Sequence, residues 1–498
     1  MKKPQSDPFV EYMLTLPEAE RAMADDFFAS LSLQLDLGRE QNAAMARDFE
    51  QAILRYREMG VPLETALLRL SPERMGGFYA RQSNGWYPLD SAAKVYPLSM
   101  GHGKMAVFRL SVYLKEQVIP ELLQIALTFT LRRFPGFAVT LKKGFFWHYM
   151  DACKSRYEVF PDDVPPCRAM KLGRTGAKTF RVLYRENRIS TEFFHILTDG
   201  TGGMVFLKTL AAEYLRLLGE QIPARCGVLD VTAMPVPEET ANEFPRVLRE
   251  KAKGGFADKA ALQLGGKKSR VNPCRVLRFK MDAESLHDAA KARGVTVTVY
   301  LLSRIIFACR AAMELQKGDI SVQVPVNLRK FYPSRTLRNF SLYCGVRADA
   351  GAVTDPDALL EDLAQQLAEK GSWEAMDKMV ASTEQLVALA RYLPLPVKFP
   401  VVQAVYGVLG DRLFTTALSN LGVEKLPQAM EKHVESMDFV LGTARENRAL
   451  CSMVTAVGVA SFCIAKQTED PTLEQTLLGL LEKDGLAVTL EGSDVYAS

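Results

Sequence analysis

The stretch FRVLYRENRISTEFFHILTDGTGGMVFLKTLAAEYLRLLG, residues 180–219, constrains the fold more than any other part of the chain. Aromatic and branched side chains flank Glu186 and Asn187, which predicts two strands over 180–197 joined by a tight turn. From Met204 the apolar residues recur at helical spacing, with Phe206, Leu210, Tyr214 and Leu217 on one face and Gly219 as the stop. Between strand and helix, ILTDGTGG cannot continue a strand. Asp199 and Gly200 favour a turn, and Gly202 and Gly203 allow a positive φ and close approach of other backbone. The pattern predicts a mixed α/β layer with antiparallel pairing, in which the second strand ends at a cleft edge.

His195 sits at that edge. Alternate side chains of a strand share a face, so Ile189, Thr191, Phe193 and His195 point the same way. An imidazole can take and return a proton near neutrality, and three intervening residues let the Asp199 carboxylate fold back beside the ring or brace its loop. Spacing alone leaves two readings open, a catalytic base on a short stiff loop or a half-buried strand histidine before an ordinary Asp-Gly turn.

A chain of 498 residues exceeds one ordinary core, since single domains rarely pass about 250–300 residues, so two lobes are expected. Residues 1–75 read as a helical N-terminal extension, because LPEAERAMADDFFASLSLQL and REQNAAMARDFEQAILRYREMG carry apolar residues at spacings of three and four. The first lobe is placed at 76–220. It holds a strand, MAVFRLSVYL (105–114), and a helix, PELLQIALTFTLRRFP (120–135), before the central motif. Residues 221–272, rich in proline and paired glycines, read as a crossover linker. The second lobe, 273–498, opens on CRVLRFKM (274–281) and carries strand candidates at 319–330, 436–444 and 450–465.

The formal charge of +4 arises from 62 basic and 58 acidic residues with no basic tail, so no nucleic-acid partner is implied. The eight cysteines form no close pairs and read as free thiols. No clustered ligand set predicts a metal. The N-terminus lacks an apolar signal core, and no apolar run reaches the roughly 18 residues of a spanning helix, so the expected location is cytoplasmic. Of the other four histidines, His102 and His148 are assigned no role, and His287 and His433 are expected at the surface.

His195-Ile-Leu-Thr-Asp199-Gly200 resembles the signature of the CoA-dependent acyltransferase superfamily, which includes chloramphenicol acetyltransferase, alcohol acetyltransferases and condensation domains of peptide synthetases. YPLS (96–99), FRLSVYL (108–114), LRRFPGF (131–137), VPVNLRKF (324–331) with RNF (338–340), and LSNLG (418–422) are similar to other family segments in order and spacing. The resemblance spans about 85 to 465. It implies two chloramphenicol-acetyltransferase-like lobes with mixed, largely antiparallel sheets, and a tunnel between them that meets the histidine.

Carried over, the resemblance makes His195 the general base, Asp199 a structural residue that holds the loop through an arginine, and Gly200 a position that leaves room for the donor. Asn327 and Arg329, a polar pair ending an apolar strand at a cleft, are candidates for bracing the lobes or contacting the phosphates of acyl-CoA, with a structural hydrogen bond within the lobe as the other reading. Ser419 and Asn420 stand similarly, with an oxyanion-donating role added. No tightly bound cofactor is implied; acyl-CoA is a co-substrate and a small alcohol or amine the acceptor. Three departures stand out, one being that DFVLG (438–442) matches the plant enzymes' Asp-Phe-Gly-Trp-Gly only loosely and reads equally as a strand. Phe194 replaces a histidine that often precedes the catalytic one, and Ala138 replaces an arginine that pairs with the motif aspartate in condensation domains. Asp199 then needs another partner, for which Arg329 is the candidate. The competing readings are a condensation-like transferase that takes its donor from a carrier protein, and a non-catalytic protein that keeps the fold. Two lobes in one chain favour a monomer.

Overall fold

The computed structural model describes residues 7–79, 85–99, 105–153, 155–172, 177–248, 259–314, 317–398, 411–443 and 447–492. His102, one of the histidines weighed above, lies outside them.

The chain opens with helices α1 (Pro8–Thr15), α2 (Glu18–Leu33), α3 (Arg39–Glu58) and α4 (Leu63–Arg69). Asp7 caps α1 by accepting from the Phe9 backbone N–H, and Pro8 at its first position is pre-set for helix. These helices pack on the main body: Phe49 lies 6.3 Å from Phe129, and the Tyr56 hydroxyl donates to the Leu217 carbonyl at 2.6 Å.

The first sheet region contains β1 (Trp86–Pro88), the helical turn α5 (Tyr96–Ser99), β2 (Val107–Leu114), α6 (Pro120–Arg133), β3 (Val139–Lys143), β4 (His148–Ala152), β5 (Val159–Pro161), β6 (Phe180–Arg185), β7 (Arg188–Phe194) and α7 (Gly200–Leu218). The hairpin expected over 180–197 is present, and Glu186 turns it with φ +51°. Helix α7 begins at Gly200, four residues ahead of the expected start, because Asp199 caps it. Gly202 and Gly203 therefore lie inside a helix and not in a left-handed turn, so close approach is what they provide. YPLS is helical.

The remainder contains α8 (Phe244–Val247), β8 (Arg275–Asp282), α9 (Ala283–Lys291), α10 (Val297–Ala311), β9 (Asp319–Asn327), β10 (Ser341–Asp349), α11 (Leu360–Lys370), α12 (Trp373–Ala390), β11 (Thr416–Glu424), β12 (Val434–Leu441), β13 (Ala449–Ala456), β14 (Val459–Lys466), a helix at Thr472–Lys483, and β15 (Thr489–Gly492). The strand candidate at 450–465 is two strands, β13 and β14, folded on a turn at Val457 and Gly458, both with positive φ.

Three sheets result, in the orders β1-β4-β3, β12-β2-β7-β6-β5 and β10-β9-β11-β13-β14-β8-β15. Most pairings are antiparallel; β5–β6, β9–β11 and β11–β13 are parallel. Strand β12 leaves the seven-stranded sheet and pairs with β2 at the edge of the five-stranded one. Asp438 on β12 then accepts from Tyr113 of β2 at 2.8 Å and from Arg278 of β8 at 2.6 Å, which ties the two sheets together.

Two large apolar cores follow this division among the described residues, and a small third cluster of Val107, Val276, Val440 and Cys463 is drawn from strands of the five- and seven-stranded sheets. The first packs Phe137, Phe180, Phe193 and Phe206 ring on ring, with Phe137 and Phe206 stacked at 5.1 Å. Each such fully buried ring stabilises the fold by about 1.5–3 kcal/mol relative to exposure. The second core surrounds α10 and the faces of β8, β9, β13 and β14. Both lobes of this mixed α/β fold thus carry their own core.

Candidate active site

Strand β7 ends at Phe194, and His195 follows in a tight turn closed by the Leu197 N–H to the Phe194 carbonyl at 2.9 Å. The His195 backbone N–H still donates to Ala106 beside β2, at 2.8 Å, so the ring is fixed at the sheet margin. Tyr96 stacks on it at 4.8 Å between ring centroids, and Phe108 meets it edge-on at 5.1 Å. His195 is half-buried, whereas Phe194, at the place of the missing second histidine, is buried in the core.

His195 Nδ1 lies 2.8 Å from Asn339 Oδ1, and Asn339 Nδ2 donates to Asp90 Oδ2 at 3.1 Å. An amide oxygen only accepts, so Nδ1 is the donor, and in the neutral ring the lone pair then lies on Nε2. Among the described residues Nε2 has no hydrogen-bond partner. Asp90 is fully buried and also accepts from the Ala93 N–H at 2.7 Å. Burial pushes its carboxyl above the ordinary range, against the pull of Arg338, whose Nε stands 3.7 Å away. Asp90, Tyr96 and Asn339 had no assigned role in the sequence reading.

Asp199 serves two structures at once. Its Oδ1 accepts from the Gly202 N–H at 3.0 Å, capping α7, while its Oδ2 accepts from Arg329 at 2.7 Å and from the Phe340 N–H at 2.9 Å. Arg329 also donates to the Thr336 and Arg338 carbonyls and to Asn327 Oδ1. Every N–H of its guanidinium is directed at a protein acceptor. That is the geometry of a brace between lobes, and Arg329 fills the place left open by Ala138.

The strands β9 and β11 pair only at Val322–Thr416 and Gln323–Ala417, and then separate. The N-terminus of α7 enters the gap. Asn327, ending β9, donates to Thr201 Oγ1 at 3.2 Å, and Leu421 of β11 covers Gly200, where a Cβ would come within 2.7 Å of its Cδ2. The space at Gly200, expected to be open for a donor, is thus taken by Leu421. At Gly202 a Cβ would lie 2.1 Å from the Leu337 carbonyl oxygen, so only glycine admits the 336–340 segment that delivers Asn339. Ser419 is buried on β11, and Asn420 is held by Thr298 at 3.1 Å and by the Gly422 N–H at 2.8 Å.

A cavity of about 740 Å³ opens between the β1–β4 ribbon and α12, lined in part by Trp86, Lys94, Trp147, His148, Glu384 and Arg391. Lys94, in its wall, is two residues ahead of Tyr96 in the chain. Burial and the neighbouring Lys143 lower the His148 pKa, and burial, with Lys94 nearby, lowers that of Lys398 to about 8. His287 is exposed, and His433 faces Glu220 at 3.3 Å. The described residues hold no cluster of metal-ligating side chains and no helix long and apolar enough to cross a membrane.

No protein-family model matches the sequence, and no curated protein matches it. Solved structures do match by shape. Fusarium sporotrichioides TRI101, complexed with coenzyme A and T-2, superposes with a TM-score of 0.56 at 13% identity, over 81% of this chain and 100% of its own. TRI3 trichothecene 15-O-acetyltransferase of the same fungus gives 0.54 at 11% identity, over 80% and 94%. Polyketide synthase associated protein 5 from Mycobacterium tuberculosis gives 0.53 at 14% identity, over 79% and 96%. With a histidine at the end of β7, an aspartate capping α7 and two lobes joined through β12, the chain has the fold of the CoA-dependent acyltransferases.

Proposed function

We propose that the protein transfers an acyl group from acyl-CoA to a small alcohol or amine, with His195 as the general base. The observation that carries this reading is the 2.8 Å contact of His195 Nδ1 with Asn339 Oδ1, which leaves Nε2 as the basic nitrogen of the neutral ring. Nε2 takes the proton of the acceptor O–H or N–H as that atom attacks the thioester carbonyl. The tetrahedral oxyanion collapses, the C–S bond breaks, and the thiolate recovers the proton from Nε2. The rings of Tyr96 and Phe108 limit the swing of the imidazole, so the base is pre-oriented.

Asp199, Arg329 and Asn327 hold the catalytic turn against the second lobe, and Ser419 and Asn420 line the donor side of the gap between β9 and β11. Residues 76–220 and 273–498 act as the two lobes around a tunnel, with β12 lent from the second to the first. All eight cysteines are unpaired, which agrees with a reducing, cytoplasmic setting. Mass spectrometry tests the reading. Purified protein incubated with acetyl-CoA or longer acyl-CoAs and a panel of alcohols and amines yields an acyl ester or amide; a panel that yields none, with activity appearing only on a carrier-bound thioester, moves the donor to a carrier protein.

A further inference from the structure

The segment that carries Asn339 is fixed on both sides of it. The Arg338 carbonyl accepts from Arg329 at 2.7 Å, and the Phe340 N–H donates to Asp199 Oδ2 at 2.9 Å. These backbone bonds leave open which end of the Asn339 amide faces His195, because oxygen and NH₂ occupy nearly the same space. The imidazole does not decide it alone. Its Nδ1 donates to an oxygen in one tautomer and accepts from an NH₂ in the other.

Asp90 supplies the decision. Its carboxyl is fully buried, and each group set against it is an N–H. The Ala93 backbone N–H donates to Oδ1 at 2.7 Å, Asn339 Nδ2 donates to Oδ2 at 3.1 Å, and Arg338 Nε stands 3.7 Å from Oδ2. Such a neighbourhood fits a carboxylate that accepts through both oxygens, with a buried guanidinium as counter-charge. Turning the Asn339 amide over would set its oxygen against Oδ2, two acceptors face to face in a buried site. The NH₂ is therefore kept toward Asp90 and the oxygen toward His195.

We infer that Asp90 is a positioning residue that sets the tautomer of His195 through Asn339, holding the proton of the neutral ring on Nδ1. The two carboxylates of the site then have separate tasks: Asp199 fixes the backbone that carries Asn339, and Asp90 orients its amide. As a statement about the tautomer the inference stands without acyl transfer; its consequence for rate rests on that reading.

Asp90→Asn exposes the logic. An amide at position 90 has one oxygen for two donors. The Ala93 N–H belongs to the backbone and cannot reverse, so it keeps the oxygen and the new NH₂ faces Asn339. The Asn339 amide turns over, its own NH₂ donates to Nδ1, and the ring proton moves to Nε2. Adding Asn339→Asp to Asp90→Asn restores the pattern. The NH₂ at position 90 donates to one carboxylate oxygen at 339, the His195 Nδ1–H donates to the other, and one buried carboxylate is kept.

The test is NMR of the full chain with its histidine ring nitrogens isotopically labelled, at about pH 8.5, where an unperturbed imidazole is neutral. His195 is identified among the five histidines by the signals missing from His195→Ala. The expected result is a proton on Nδ1 in wild type, on Nε2 in Asp90→Asn, and on Nδ1 again in the double variant. In parallel, acceptor-dependent thiol release falls by about 10²–10⁴-fold in Asp90→Asn and recovers by about tenfold or more in the double variant. A neutral ring protonated on Nε2 in wild type overturns the inference, as does one that stays protonated on Nδ1 in Asp90→Asn. Where Asp90→Asn alone does not fold, the double variant decides, and a proton on Nε2 there overturns the inference. Absence of thiol release from wild type removes the acyl-transfer reading, while the NMR result still decides the role of Asp90.

Discussion

His195 Nδ1 is held 2.8 Å from Asn339 Oδ1 across 144 residues of sequence, so a side chain from the second lobe sets the tautomer of a base carried by the first. Asp90, buried behind Asn339, fixes which end of the amide faces the ring. Asn339→Ala should leave Nδ1 without its acceptor and let the ring change tautomer. The expected loss in kcat is about tenfold to a hundredfold, smaller than loss of the base itself, with KM for the acceptor little changed. A variant with unchanged kcat contradicts the positioning role.

The pair Arg329 and Asp199, at 2.7 Å with side chains 12% and 5% exposed, locks the start of α7 to the segment before β10. Removing the guanidinium strands a nearly buried carboxylate, so Arg329→Met should cost about 3 kcal/mol in chemical denaturation. Arg329→Lys should not rescue it, because one ammonium cannot reach Asp199, Asn327 and two carbonyls together. Full stability in the lysine variant would contradict this account.

Gly202 and Gly200 differ in what a methyl group would meet. At Gly202 it strikes the Leu337 backbone carbonyl, while at Gly200 it strikes the end of the flexible Leu421 side chain. Gly202→Ala should therefore destabilise by about 2 kcal/mol or more and displace Asn339, whereas Gly200→Ala should cost clearly less. Melting of the two variants side by side checks the order.

Asp438 and Arg278, 0% and 10% exposed, join β12 to β8. Burial by itself would raise the Asp438 carboxyl, but Arg278 and Arg188 outweigh it and hold the group well below the usual carboxylate range. A depressed folded pKa contributes stability that is fully present above the unfolded value, about 3.9, and is lost as pH falls below it. Asp438→Asn should cost about 3–5 kcal/mol at neutral pH, and its gap from wild type should narrow as the medium is acidified below about pH 4. Urea titrations across that range measure the gap.

Local pattern made the hairpin at 180–194 and the helix after it legible, because strand and helix periods are written in consecutive residues. His195, Asp199 and Arg329 could be named for the same reason together with the motif. Asn339 and Asp90 could not, since their alignment with His195 depends on contacts 144 and 249 residues apart in sequence. The RNF segment containing Asn339 was noticeable, yet nothing local states which ring it meets. Strand β12 reads as a strand in either sheet, and only its register against β2, with Asp438 opposite Ser111, decides where it pairs. The early start of α7 was missed because glycines weaken helix periodicity, although Asp199 followed by Gly202 is a recognisable cap once the helix is placed.

The central claim, that His195 Nε2 removes the acceptor proton during acyl transfer, is tested most directly by following free-thiol release from acyl-CoA, with and without acceptor, for wild type and His195→Ala in parallel. The account predicts acceptor-dependent release by wild type and a fall of about 10²–10⁴-fold in the variant, with the melting curve retained. Acceptor-dependent release at an undiminished rate in His195→Ala would contradict it.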